Sequence, residues 1–201
     1  RKTVIIPSSL LISALGQMAD VNKAVTMDLK KAGNRLLLVG TTFDELGGSH
    51  FALVNGLTGG SVPRVNLKQA PKTFSAMHRA ISSGLIESCH DLSEGGLAVS
   101  AAEMAFAGGL GVSLSLKTLS QSSGLDSDSV LLFSESNTRF LIEVAESNVL
   151  RLQAVLAGIS VTNLGSVVAT DRCQVTGVGG ELVIDSPIEE LRQVWKATLA
   201  W

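Results

Sequence analysis

Several features that mark whole classes of protein are missing from this sequence of 201 residues. It has no long basic run and its net charge is −2, so nothing indicates a nucleic-acid partner or an anionic membrane surface. No apolar run reaches the roughly 18–20 residues that a membrane-spanning helix needs. The stretch Val4–Leu15 is apolar, but proline and serine residues interrupt it, which is typical of a strand rather than a signal sequence.

Cysteine is also scarce. Cys89 and Cys173 lie far apart and form no CxxC pattern. We therefore predict two reduced, buried thiols in a cytoplasmic protein. The sequence begins with Arg1 rather than methionine, so we expect it to be part of a longer chain.

What the sequence does contain is enough apolar material for a sizeable core. Hydrophobic residues make up 45% of the chain, and only four prolines occur. No internal repeat or linker divides it, so we predict a single domain over residues 1–201. Helical and strand-like segments alternate, with a late run of strands, which predicts an α+β domain whose helices pack on a mixed sheet.

Hydrophobic periodicity places the elements. Strands are predicted over 9–19, 36–40, 86–90, 112–116 and 139–144, and near 164–169, 172–176 and 181–185. Helices are predicted over 67–83, 96–107 and 146–156, and residues 120–129 are predicted to be a mobile polar loop. A final helix is predicted to start with a capping box of Ser186 and Glu189, with Pro187 in the first turn. Its apolar face would comprise Ile188, Leu191, Trp195 and Leu199.

The stretch "HDLSEGG", residues 90–96, is a glycine turn that opens a helix. Free N–H groups and the helix dipole favour an anion at such a turn, and a Mg²⁺ ion could reconcile a phosphate with Asp91. The spacing alone favours a simpler interpretation, in which Ser93 and Asp91 cap the helix and Glu94 complements its dipole. No second histidine lies at ligand spacing from His90, so it is predicted to be a packed strand residue.

A second polar group follows in "FSESNTRF", residues 133–140. Glu135, Ser136 and Asn137 offer an acceptor, a hydroxyl and an amide, which can bind a sugar or an amide-bearing ligand. A plain Asx or Ser turn is the alternative that these residues favour on their own. Arg139 could bind a phosphate through two hydrogen bonds or pair with Glu135.

A third candidate is "DELGGSHF", residues 44–51. Gly47, Gly48 and Ser49 could form a backbone nest for an anion. The alternative, which the composition slightly favours, is a turn that leads into a packed helix.

These stretches, together with "VPRVN" and the extended "HDLSEGGLAVSAAEMAFAGGLG", carry a family resemblance. From Ser8 to the last helix, the chain resembles the C-terminal domain of phosphoribosylformylglycinamidine synthase, in the aminoimidazole ribonucleotide synthase superfamily. It looks like the second of the two such domains in that family. The resemblance implies a fold similar to the C-terminal domain of aminoimidazole ribonucleotide synthase.

The resemblance also implies an activity. The family is an ATP-dependent ligase of purine biosynthesis that makes formylglycinamidine ribonucleotide from formylglycinamide ribonucleotide and ammonia drawn from glutamine. Mg²⁺ and ATP are implied for the full-length protein, with neither expected to bind tightly here. The implied partners are upstream ATP-binding-type domains and a glutaminase component. The family's catalytic histidines and main ATP ligands lie in preceding domains, so the chain is expected to be inert alone.

Site residues follow from the same resemblance. Asp91 matches a magnesium ligand of the first domain, and the triplet at 135–137 matches a substrate-contacting triplet there. The triplet here ends in Asn137 where the family has glutamine, which shortens its reach and implies an auxiliary or degenerate site. The candidates are one metal ligand, Asp91, and the substrate- or phosphate-binding residues Gly95, Gly96, Glu135, Ser136, Asn137 and Arg139.

Two functions of different class therefore remain open. The chain is either a segment that completes the ligase or a structural module that supports a neighbouring domain and an auxiliary nucleotide site. A relative of selenophosphate synthetase or of hydrogenase-maturation proteins is disfavoured, because their upstream reactive cysteine and C-terminal tail are absent from this sequence.

Overall fold

The structure is a computed structural model that describes residues 11–197 of the chain. The strands are β1 (Arg35–Val39), β2 (Ser88–Asp91), β3 (Gly111–Ser115), β4 (Phe140–Val144), β5 (Val161–Val168), β6 (Arg172–Thr176) and β7 (Leu182–Pro187). The helices are α1 (His50–Val54), α2 (Ala70–Ser82), α3 (Gly96–Gly108), α4 (Lys117–Ser123), α5 (Asp128–Phe133), α6 (Val149–Val155) and α7 (Ile188–Ala197). Short 3₁₀ turns cover Val21–Lys23 and Glu146–Asn148.

The strands form one seven-stranded sheet in the order β2-β4-β1-β5-β3-β6-β7. The pairings are antiparallel, except that β3 runs parallel to β6. The predicted α+β fold with a mixed sheet is therefore confirmed.

The core lies on both faces of this sheet, and β1 shows why. Successive side chains of a strand point to opposite faces. Leu36 and Leu38 accordingly pack into one buried cluster with α3, α4, α5 and α7, whereas Leu37 and Val39 pack into a second cluster with α2 and α6. A strand covered on both sides needs a continuous apolar run rather than alternation, and this requirement explains the Leu-Leu-Leu-Val sequence.

A buried carboxylate fixes the chain that enters β1. Glu143 of β4 is fully buried, and its oxygens accept hydrogen bonds from the backbone N–H groups of Lys30 (2.7 Å) and Lys31 (2.9 Å). They also accept from Asn34 Nδ2 (2.7 Å) and Ser88 Oγ (3.0 Å). Four donors from two other segments thus compensate for the loss of water around this charge.

The prediction of a mobile loop over 120–129 is wrong, because two short helices occupy most of this stretch. Helix α4 ends at Gly124, whose left-handed conformation (φ 73°) closes it, and Ser127 caps α5 by accepting from Val130 N. The reason is tertiary, since Leu119 and Leu131 are buried in the first core cluster and hold the polar segment against it.

The strand predicted over 9–19 is not found either. Residues 9 and 10 lie outside the described part of the chain, and 11–19 adopt no regular secondary structure. Leu11, Ile12 and Leu15 are exposed there, so this apolar segment has no core to join. Within residues 11–197, no helix combines the length and the apolar character that a membrane span requires.

The predicted capping box also fails. Ser186 and Pro187 belong to β7, where they pair with β6, and α7 starts at Ile188. Glu189 binds Arg192 and Gln193 one turn later instead of reaching back to Ser186. The predicted apolar face holds for Ile188 and Leu191, which pack on the core. Trp195 is about half exposed, and Leu199 lies outside the described residues.

We predict that Glu143→Ala destabilises the chain by about 3–5 kcal/mol, because it leaves four donors without their acceptor, two of them the buried side chains of Asn34 and Ser88. Urea unfolding followed by circular dichroism measures this free energy. Glu87→Ala is the matched control, since Glu87 is exposed in the adjoining turn and should change stability by less than about 0.5 kcal/mol. A loss below about 1 kcal/mol for Glu143→Ala would contradict the role assigned to this carboxylate.

Candidate functional site

The segments with candidate residues converge at one end of the sheet. Strands β2 and β4 are antiparallel neighbours, with Asp91 opposite Phe140, so the turn after β2 lies beside the turn before β4. Val39, the last residue of β1, pairs with Phe140 on one side and Val161 on the other. The loop that follows β1 therefore reaches the same end of the sheet as these two turns.

The glycine turn begins α3 without a cap from its own side chains. Gly95 is the N-cap residue (φ 78°) and Gly96 also has a positive φ of 62°. A Cβ atom on Gly96 would lie 2.5 Å from the Ser134 carbonyl oxygen, so only glycine fits there. The predicted capping by Ser93 and Asp91 is wrong, and Glu94 precedes the helix. Two consecutive glycines in the left-handed conformation lead into the helix, and the side chains of Asp91 and Ser93 make no hydrogen bond to its first N–H groups.

The acceptor for this turn comes instead from Glu135. Its Oε1 atom accepts from Gly95 N at 2.9 Å and from His50 N at 3.0 Å, at the start of α1. The His50 ring Nδ1 lies 3.7 Å from the same oxygen, and the Glu135 side chain is 15% exposed. Sequence reasoning missed this role because the partners lie 40 and 85 residues away.

Ser136, in the middle of the triplet, is buried and supports the loop after β1. Its hydroxyl accepts from Phe43 N at 3.0 Å and lies 3.0 Å from Ser134 Oγ. Both serine hydroxyls also lie within bonding distance of the Phe43 carbonyl oxygen, to which Ser134 donates at 2.7 Å. The triplet is thus more than a local Ser turn, because it joins two loops.

Arg139 is buried among neutral acceptors. Its Nε donates to Ser136 O at 2.8 Å and Nη1 donates to Thr42 Oγ1 at 3.0 Å, while Nη2 donates to Ser134 O. Burial lowers the pKa of this guanidinium to about 10, against the opposing effect of the nearby Glu45 and Glu135 charges, so it stays protonated at neutral pH. The guanidinium therefore donates to neutral carbonyl and hydroxyl oxygens rather than to the Glu135 carboxylate or to solvent.

Asp91 and Asn137 are the candidates with exposed side chains. The Asp91 side chain is 68% exposed, and its Oδ1 lies 3.5 Å from His90 Nδ1. Within residues 11–197, no three His, Cys, Asp or Glu side chains group as a metal site would require. A lone exposed carboxylate still suits Mg²⁺, which takes one or two carboxylates and completes its shell with water and phosphate oxygens.

Asn137 lines a cleft of about 80 Å³ at this end of the sheet. Thr138 beside it has a φ of 63°, which is unusual for a β-branched residue and costs on the order of 1–3 kcal/mol. The remaining lining residues are mostly polar and come from the loop after β1, the loop before α2, the first turn of α2 and the loop before β5: Gly40, Thr41, Phe43, Arg64, Asn66, Gln69, Ala70, Thr73, Ile159 and Ser160.

The loop at 44–51 forms a turn into a helix, which is the second of its two predicted alternatives. Ser49 caps α1 through its hydroxyl, which accepts from Ala52 N at 3.1 Å. Gly47 N donates to Ser61 O at 2.8 Å. Glu45 Oε1 accepts from Arg64 N, whereas its buried Oε2 has no hydrogen-bond partner among the described residues.

The prediction for His90 is confirmed, since its ring is packed beneath α3. His90 Nε2 lies 2.8 Å from Glu103 Oε2, and the other oxygen of Glu103 accepts from Trp195 Nε1 at 2.9 Å. The thiol prediction is confirmed for Cys173, which is free and buried, whereas Cys89 is free but only partly buried.

Comparison with known proteins places the chain in a family. The C-terminal domain of AIR synthase related proteins matches residues 31–178, and the chain belongs to this family. It is 34% identical over 192 residues to the phosphoribosylformylglycinamidine synthase subunit PurL of Alkaliphilus metalliredigens, covering 94% of this chain and 25% of that protein. It is 36% identical over 194 residues to the same subunit of Methanothrix thermoacetophila, covering 95% and 24%. The chain therefore spans about a quarter of the length of these relatives.

Solved structures agree on the fold. Thermotoga maritima PurL complexed with FGAR matches with a TM-score of 0.75 and 19% identity, covering 85% of this chain and 30% of that chain. The hydrogenase maturation protein HypE of E. coli matches with a TM-score of 0.55 and 20% identity, covering 80% and 51%. At these identities the likeness shows the fold alone.

We predict that both cysteines resist alkylation in the folded chain. Burial raises the pKa of the Cys173 thiol to about 11, and burial together with the Asp91 charge raises the pKa of Cys89 to about 12. Because the thiolate is the reactive form, iodoacetamide at pH 8 should label the folded chain about 100-fold more slowly than the urea-unfolded chain. Equal labelling rates, measured by mass spectrometry, would contradict the assigned burial.

Proposed function

We propose that this chain is the C-terminal domain of an ATP-dependent ligase that converts formylglycinamide ribonucleotide to formylglycinamidine ribonucleotide with ammonia from glutamine. The observation that carries the proposal is the similarity to PurL subunits at 34–36% identity over 94–95% of the chain. The ligase would act in the cytoplasm with upstream ATP-binding-type domains and a glutaminase component, without a nucleic-acid or membrane partner. The solved structure of PurLQS from T. maritima supports a partner of this kind.

Within such a protein, Asp91 is the residue that would hold Mg²⁺. Its side chain projects from the end of β2 into solvent, where an ion could keep water and phosphate oxygens in its shell. ATP and Mg²⁺ would supply phosphoryl activation of the substrate amide oxygen. Structures of T. maritima PurL complexed with ATP and with FGAR support ligands of this class.

Asn137 is the triplet residue whose side chain could contact a ligand. It is exposed and lines the cleft, whereas Ser136 is buried and Glu135 is bound to backbone N–H groups. An amide can donate to and accept from a sugar or an amide-bearing ligand. Gly95 and Gly96 are buried, so their contribution would be to hold the turn beside Asp91 rather than to touch a phosphate directly.

A structural module is the second candidate function. This role is favoured because the hydrogen bonds of Glu135, Ser136 and Arg139 are made to other groups of the same chain. In this case the domain would support its neighbours and an auxiliary nucleotide site without taking part in the chemistry. Deletion of the segment from the full-length parent separates the two: a parent that folds without it but loses turnover favours the ligase role.

We predict that the purified 201-residue chain does not turn over formylglycinamide ribonucleotide with ATP, Mg²⁺ and ammonia. The phosphoryl-transfer machinery implied by the family lies in other domains of the parent. Phosphate release and product formation measure this, with the full-length parent as the positive control. Turnover by the chain alone would sink the proposal that it depends on upstream domains.

We also predict that Asp91→Asn changes the free energy of unfolding of this chain by less than about 0.5 kcal/mol, because the side chain is largely exposed. In the full-length parent the same change should weaken magnesium-dependent nucleotide binding, as a titration with and without Mg²⁺ would show. Asp126→Asn, in the exposed α4–α5 loop, is the control. An unchanged titration would remove the metal role, and destabilisation above about 2 kcal/mol would indicate a buried network instead.

A further inference from the structure

One oxygen atom at the candidate site receives donors from two distant parts of the chain. Glu135 Oε1 accepts from Gly95 N (2.9 Å) and His50 N (3.0 Å), and His50 Nδ1 lies 3.7 Å away. Helix α3 has 13 residues and no side-chain cap from its own segment. This carboxylate therefore occupies the place where an external anion would meet the glycine turn.

The surroundings hold the carboxylate in place. The Glu135 side chain is only 15% exposed, and its backbone N–H donates to Glu45 O at 3.4 Å. Gly95 and Gly96, on the other side, are themselves buried. A phosphate within about 4 Å of the Glu135 carboxylate would be repelled by a few kcal/mol at an effective dielectric near 20, so this charge disfavours a second anion at the turn.

We propose that Glu135 is a built-in anion that closes the glycine turn to phosphate and ties the loop at 44–50 to the turn at 91–96. Its role is to position the backbone that carries Asp91, and contact with an external ligand at this end of the sheet falls to the exposed Asn137 and Asp91. The assignment does not require the ligase activity proposed above, because it concerns the folded chain alone.

The test is chemical rescue of Glu135→Ala in the 201-residue chain. Removing the carboxylate should lower Tm by about 5 °C, since two backbone donors lose a charged acceptor. Inorganic phosphate or acetate should then raise Tm of the variant by at least twice the rise seen in the unsubstituted chain. Sodium chloride at equal ionic strength should not. Glu87→Ala serves as a control for general salt effects on stability.

Amide resonances give a second measurement that does not depend on stability. In Glu135→Ala, phosphate should shift the N–H signals of Gly95 and His50 in a saturable way. Glu135→Gln fills the same space without charge, so it should fold, remain closed and show no phosphate response. Equal Tm rises in all chains, or a saturable phosphate shift of Gly95 in the unsubstituted chain, would overturn the proposal.

Discussion

Two buried charges of opposite sign lie at the two ends of β4. The hydrogen-bonding partners that each charge requires determine how the loops around the sheet are arranged. Glu143 is surrounded by donors at one end, and Arg139 by carbonyl and hydroxyl acceptors at the other. Between them, Leu141 and Ile142 are completely buried in the two core clusters. A buried charge without partners costs several kcal/mol, so each one demands a definite set of neighbours where an apolar side chain would accept many.

This demand explains the shape of the candidate site. Arg139 donates hydrogen bonds to the carbonyl oxygens of Ser134 and Ser136, and these bonds fold the triplet back over the start of β4. In this conformation Glu135 points towards the glycine turn and Asn137 faces the cleft. Arg139 therefore determines which side chains of the triplet point inward and which point outward. In the sequence, the same arginine is a candidate for binding a phosphate.

The sequence was most informative where local pattern and tertiary packing agree. The apolar run at 36–39 and the periodic segments of α2 and α3 were located to within a few residues, because burial enforces those patterns. It failed where a distant group decides the outcome. Ser93 has the chemistry of a cap, but Glu135, 40 residues further along than Gly95, accepts from the turn instead. The serine-rich composition of 120–129 predicts a loop, but the buried Leu119 holds this stretch against the core. The apolar segment at 11–18 reads as strand, although no described strand pairs with it.

Electrostatics at this end of the sheet also limit what can bind there. Asp91, Glu94 and Asp44 are all exposed on the loops concerned, and the net charge of the chain is −2. A phosphate approaching Asp91 to about 4 Å meets a repulsion of a few kcal/mol at an effective dielectric near 20, so a cation has to come with it. Arg139 cannot contact such a phosphate directly, because its side chain is buried and donates to Ser136 O, Thr42 Oγ1 and Ser134 O. The exposed Arg64, which lines the same cleft as Asn137, is a positive side chain at this surface, so a nucleotide there would combine that charge with a metal ion carried at Asp91.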